Sequence, residues 1–170
     1  MSCTLCDLYK HANTPCFPTA GNVGVDILIL QESPSYNEDT FKKPLSNSST
    51  PWLLNQLKLA GIKPERCAFA KVVRCFSGTK PKLKDIKTCV ENYLIPEVHT
   101  LKPKAILAIG DIPVKATLGK TGITKLRGTV YDWQGYPTMA IMSPNAIIRQ
   151  PMHQVTFSAD LQAFYRLVEG

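Results

Sequence analysis

A single α/β domain built on a mainly parallel sheet is what this sequence predicts, and three observations carry it. Four short apolar runs, 25–30, 67–74, 104–109 and 136–142, have the length and composition of buried strands. Stretches of helical spacing separate them along the chain. No repeat, low-complexity tract or linker divides the 170 residues, a length that suits one core.

The amino-terminal segment is irregular, broken by Pro15, Pro18, Gly21 and Gly24. Val25 to Leu30 reads as the first strand, of the kind that parallel sheets bury on both faces. A polar loop is expected from Gln31 to about Ser49. Thr50 then stands as a cap with Pro51 at the first helical position, and Trp52, Leu53, Leu54, Leu57 and Leu59 carry a helix that Gly61 stops. Cys67 to Arg74 reads as the second strand. Ile86, Val90, Tyr93 and Leu94 space a helix from Leu83 to about His99, bent or shortened by Pro96. The third strand, Lys104 to Ile109, ends at Gly110 and leads to a short helix over Val114 to Leu118. Tyr136 to Met142 is the fourth strand, and Thr156 to Val168 closes the chain as an amphipathic helix. Ligands of such sheets sit beyond the carboxyl ends of the strands, so the loops after Leu30, Arg74, Ile109 and Met142 are where chemistry is expected.

Twenty Lys and Arg against 13 Asp and Glu give a net charge of +7. A basic domain suits a polyanion, nucleic acid first and an anionic membrane second. No apolar run approaches the roughly 20 residues that span a bilayer. The amino terminus lacks the basic-then-apolar plan of a signal peptide, so a soluble, cytoplasmic protein is expected. Its Pro-rich loops and lack of a long exposed apolar helix suggest a monomer.

Six cysteines, Cys3, Cys6, Cys16, Cys67, Cys75 and Cys89, all lie in the first 89 residues. In a reducing compartment such a set reads as metal ligation before disulfides. Cys3 and Cys6 form a Cys-x2-Cys pair, and Cys75 and Cys89 flank the loop after the second strand. Four thiolates suit zinc or a [4Fe–4S] cluster, and spacing does not choose between them. Cys16 could replace one of the four; Cys67, inside a strand, reads as core.

The strand-end loops, taken in order, carry a resemblance. They read Gln31-Glu32-Ser33-Pro34-Ser35 with Glu38-Asp39 after it, then Lys71-Val72-Val73-Arg74-Cys75. Next come Pro103-Lys104-Ala105-Ile106-Leu107-Ala108-Ile109-Gly110 and Arg127-Gly128. Last is Ser143-Pro144-Asn145-Ala146-Ile147-Ile148-Arg149-Gln150-Pro151. The series resembles the iron–sulfur branch, family four, of the uracil-DNA glycosylases. That family runs Gly-Glu-(Ala/Gly)-Pro-Gly, Glu-Asp, Asn-Val-Val-Lys-Cys, Pro-Lys-x-Ile-x-x-Leu-Gly, Arg-Gly and His-Pro-x-x-Leu-x-Arg-x-Pro. The match covers nearly the whole chain. It implies a three-layer α/β/α sandwich with a mainly parallel four-stranded central sheet. It also implies a [4Fe–4S] cluster on Cys3, Cys6, Cys75 and Cys89.

By the same resemblance the partner is DNA, with a nucleotide swung out of the stack so that its glycosidic bond can be reached. Glu32 takes the place of the family's acidic residue, which steadies the positive charge that builds on the sugar and orients water. Gln31, Ser33, Pro34, Asp39, Leu45 and Asn145 are expected to line the base pocket, with Asp39 or Glu38 assisting Glu32. Pro144, Ile147, Ile148 and Arg149 are expected to press an apolar wedge and a cation against the minor groove. Lys115 and Arg127, with Lys120, Lys125, Lys42 and Lys43 as weaker candidates, could meet phosphates.

The departures from the family fall on the pocket. Its histidine, which steadies the charge on the leaving base, is Ser143 here; its base-reading Asn is Lys71; its stacking Phe corresponds to Leu45. One reading keeps an enzyme whose base is not plain uracil. Lys71 only donates hydrogen bonds and Leu45 leaves room, which suits a hydroxymethylated or glycosylated pyrimidine, in repair or in defence against foreign DNA. A variant makes Lys71 an amine nucleophile. The other reading keeps the fold as an inactive DNA-binding or replication-accessory module, with replication or repair proteins as partners. A zinc-ribbon-like interaction domain explains the cysteines alone and leaves the loop motifs without an account.

Overall fold

The computed structural model describes residues 2–170. Its centre is a five-stranded sheet of β1 (Ile27–Gln31), β2 (Cys67–Lys71), β3 (Ala105–Ile109), β4 (Val130–Trp133) and β5 (Tyr136–Ile141), in the order β2-β1-β3-β5-β4. The four expected strands are present and pair in parallel, with Leu30 opposite both Ala70 and Ala108. The fifth, β4, is an addition. It pairs antiparallel with β5 across a turn at Gln134 and Gly135 and closes one edge.

Eight α-helices flank the sheet: α1 (Tyr36–Phe41), α2 (Thr50–Leu59), α3 (Leu83–Cys89), α4 (Ile95–Leu101), α5 (Asp111–Leu118), α6 (Ile123–Leu126), α7 (Pro144–Arg149) and α8 (Gln154–Glu169). The two-residue period of β1 divides its side chains between two cores. Ile27 and Ile29 pack with Leu53 and Leu57 of α2 and with Phe157, Leu161 and Phe164 of α8. Leu28 and Leu30 pack on the other face with Ile86, Leu94, Val98 and Ile112, from α3 through α5. These are the three layers. Burial of each large side chain on α8 contributes roughly 2–3 kcal/mol, which fixes that helix over β3 and β5. Among the described residues no helix is long and apolar enough to cross a membrane.

Three local features differ from the sequence reading. Thr50 is the first residue of α2 rather than its cap. The long helix over Leu83 to His99 is interrupted by a π-turn at Val90–Leu94 just ahead of Pro96. A widened turn accommodates a residue that has no N–H for the regular ladder. The loop after β1 contains α1, held by a reciprocal cap in which Ser35 Oγ accepts from Glu38 N and Glu38 Oε2 accepts from Ser35 N.

Candidate active site

The carboxyl ends of β1, β2, β3 and β5 enclose a polar cavity of about 370 Å³. β1 delivers Gln31, Glu32, Ser33 and Pro34 to its wall, β2 delivers Lys71, and the turn into α7 delivers Ser143, Pro144, Asn145 and Arg149. Nine residues expected from the sequence thus share one site. Asn47, Ser49, Gly110 and Asp111 line it as well and were not among the sequence candidates. The loop after Ile109 is one of the four strand-end loops, and Asp111 is its titratable residue.

Glu32 stands at the solvent-open rim. Partial burial pushes its carboxyl above the ordinary range; Lys80 draws it down and the negative charge of Asp111 raises it further. The parallel register explains that proximity. Leu30 lies opposite Ala108, so continuing both strands brings Glu32 level with Gly110, one residue from Asp111. Gly110 has φ +88°, and a Cβ there would stand 3.4 Å from Ser143 Cβ. A side chain at this position would be strained and would crowd the wall of the cavity.

Lys71 is 3% exposed. Its ammonium donates to Gln31 Oε1 at 2.8 Å and pairs with Glu38 Oε2 at 2.9 Å. Burial pulls its pKa down, and the Glu38 charge pushes back. Glu38 is itself buried, and its other oxygen accepts from Leu45 N at 3.0 Å. Leu45, in the left-handed region at φ +60°, lies in a seam behind Lys71 and Gln31 rather than on the main cavity wall. Ser143 caps α7, its Oγ accepting from Ala146 N at 3.3 Å. The hydroxyl keeps its own proton to donate.

Several expected contacts fall elsewhere. Asp39 is fully buried, with its oxygens taken by Asn13 N, Asn13 Nδ2 and Thr14 N; it anchors the amino-terminal segment and does not face the cavity. Ile147 is 1% exposed and belongs to the core beside Met142 and Phe157. Because 143–149 is a helix from its capping residue onward, consecutive apolar residues point to different sides. Ile148 remains 49% exposed and Arg149 is exposed. Arg127 is engaged by Asp160. Lys115 lines a different cleft, with Leu83 and Trp133. Lys42, Lys43, Lys120 and Lys125 are exposed.

All six cysteines are free thiols. Cys89, at the end of α3, is pushed up to about 11 by burial and by the charges of Cys6, Cys75 and Cys3. Cys75 is raised by burial and by the same group, with Cys16 N donating to its Sγ at 3.4 Å. The Tyr93 phenol, hydrogen-bonded to Cys3, is held above its ordinary range. Cys67 stands apart, its thiol directed at Lys63 O. Among the described residues no three His, Cys, Asp or Glu side chains close on one point as a single ion requires.

A family model described as the uracil DNA glycosylase superfamily matches residues 18–168. The type-4 uracil-DNA glycosylase of Pyrobaculum aerophilum is 25% identical over 175 residues, covering 96% of this chain and 88% of that protein. That of Thermotoga maritima is 27% identical over 137 residues, covering 78% and 70%. A DNA polymerase of Bacillus phage SP01 is 27% identical over 167 residues; the match takes in 96% of this chain and only 18% of the polymerase. With the strand-end site and a family match over most of its length, the chain belongs to the uracil-DNA glycosylase superfamily.

Proposed function

We propose that this chain is a DNA glycosylase, which takes an extruded base into the strand-end cavity and hydrolyses its N-glycosidic bond to leave an abasic site. The observation that carries this reading is Glu32 at the rim of a polar cavity closed by Lys71 and Ser143. As the bond breaks, the electron pair leaves with the base and positive charge builds on the sugar. The Glu32 carboxylate faces that charge and orients water for attack at C1′. Asp111 adds a second negative charge on the same side. Ser143 donates its proton to the base, and Asn145 offers both a donor and an acceptor to the base edge. Ile148 and Arg149 project beside the cavity to occupy the gap in the stack and a phosphate.

Lys71, which only donates hydrogen bonds, favours a base rich in acceptor oxygens, and the cavity of about 370 Å³ leaves room for a substituent such as a hydroxymethyl group or a sugar. Such a substrate fits repair or defence against foreign DNA. The alternative is a binding module that accompanies replication, and the observation that favours it is the match to a segment of the phage polymerase. Abasic-site formation separates the two. Duplexes and single strands carrying uracil, hydroxymethylated or glycosylated bases are incubated with the protein and cleaved with alkali, beside Glu32→Gln. Glu32-dependent cleavage supports the enzyme; DNA binding without cleavage on any substrate supports the module.

The thiols also suit the cluster that the family resemblance implies. Cys3, Cys6, Cys75 and Cys89 are near enough for their charges to act on one another, and Cys75 receives the kind of backbone N–H bond that tunes ligating sulfurs. When bound, the cluster would tie the amino-terminal segment to the loop after β2. Cys16 packs beside Cys75 as the alternative ligand.

A further inference from the structure

The replacement of the family's histidine by Ser143 leaves a chemical gap, and the interior of the site contains a group that can fill it. Ser143 is a neutral donor whose oxygen is occupied by Ala146 N. Lys71 is the buried cation of the cavity. Two of its three N–H groups are fixed on Gln31 Oε1 and Glu38 Oε2, at 2.8 and 2.9 Å. An ammonium so anchored has a set direction for its third proton. Phe17, Pro18, Phe69 and Leu45 pack beside its stem, so water is kept from that side. Glu38 in turn is held by Ser35 N and Leu45 N. The clamp is built from backbone upward.

On the glycosylase reading above, we propose that Lys71 is a catalytic residue that takes up the negative charge of the departing base. When the C1′–N bond breaks, the pair of electrons passes to the base and spreads onto its carbonyl oxygens. The third N–H of Lys71 donates to one of those oxygens. Gln31, its oxygen committed to Lys71, offers its NH₂ as a second donor. Water adds to C1′ and gives a proton to the carboxylate side; the base anion is then protonated by solvent, which balances the hydrolysis. A charge-assisted donor in a dry site is stronger than a neutral one. The Glu38 carboxylate at 2.9 Å favours the ammonium form against the desolvation that burial imposes. The geometry also argues against the amine acting as nucleophile, because its nitrogen is engaged as a donor on two oxygens.

The test is leaving-group dependence. Single-turnover excision of uracil and of the more acidic 5-fluorouracil from single-stranded DNA is compared in wild type, Lys71→Met and Lys71→Met/Glu38→Gln. The double variant removes the carboxylate that the single one leaves buried without a partner. Loss of Lys71 is expected to slow uracil excision by on the order of 100-fold and 5-fluorouracil excision by much less, because a more stable anion needs less help. An equal loss on both bases, or none, overturns the proposal. A second readout needs only wild-type protein and no turnover: free uracil is bound and its ionisation followed by ultraviolet absorption. Bound uracil is expected to ionise at lower pH than in solution, and an unchanged or raised value overturns the role of Lys71. If wild type excises neither these bases nor the hydroxymethylated and glycosylated ones, the glycosylase reading fails on its own, and bound uracil still decides on Lys71.

Discussion

Arg127 holds Asp160 by two hydrogen bonds, Nε to Oδ2 at 2.7 Å and Nη2 to Oδ1 at 2.6 Å. The pair joins the end of α6 to α8, and Asp160 is 5% exposed. Truncating the arginine leaves a carboxylate buried without its partner, which costs about 3–5 kcal/mol in a fully enclosed pair. Arg127 is partly open, so Arg127→Ala is expected to lose on the order of 2 kcal/mol in urea unfolding. DNA affinity measured on the folded fraction is expected to stay unchanged, which separates a structural arginine from a phosphate contact.

Glu32 makes opposite demands on stability and activity. Its carboxyl titrates above the usual range because burial and Asp111 disfavour the charge. A raised carboxyl pKa means that folding carries a penalty once the pH exceeds it; the penalty is absent below the unfolded-state value. Glu32→Gln is therefore expected to melt at or slightly above the wild-type temperature near pH 7, with the difference gone below about pH 4. Excision follows the other sign. Activity is expected to fall as the pH drops through the raised Glu32 value; Glu32→Gln is expected to be at least about 100-fold slower above that value, with the gap closing as the pH falls below it.

The cysteines give a contrast within one protein. Cys67 is pushed up to about 12 by burial and stands apart from the other five. Cys67→Ala is expected to leave iron and sulfide content and visible absorption unchanged after anaerobic reconstitution. Cys75→Ser and Cys89→Ser are expected to abolish both. Cys16→Ser distinguishes a ligand, which loses iron, from a neighbour whose N–H alone supports Cys75.

The parallel frame was legible because apolar runs such as Ala105–Ile109 are buried on both faces and have no competing reading. β4 was not, since Val130-Tyr131-Asp132-Trp133 buries only its last residue and looks like loop. Helix α1 exposes Tyr36 and Phe41 and buries Glu38 and Asp39, the reverse of the usual apolar pattern, yet Ser35 and Glu38 spell a capping box that could have found it. Within the site, Lys71 and Glu32 were visible as strand-end residues. The roles of Glu38 and Asp39 were not, because neighbours in sequence point to unrelated partners: Glu38 to Lys71, Asp39 to Asn13 and Thr14.

The same helical geometry separates the two apolar residues proposed as the wedge. Ile147 packs against the core and Ile148 does not. Ile147→Ala is expected to cost about 2–4 kcal/mol by opening a cavity, while excision from single strands per folded molecule stays near wild type. Ile148→Ala is expected to change stability by less than about 0.5 kcal/mol. Its effect belongs to the step in which a paired base leaves the stack, where an apolar side chain fills the space vacated. Excision rates on matched duplex and single-stranded substrates measure that step. A drop confined to the duplex assigns the wedge to Ile148. An equal drop on both removes it from that role, and Met152, 82% exposed on the turn that follows, becomes the side chain to substitute next.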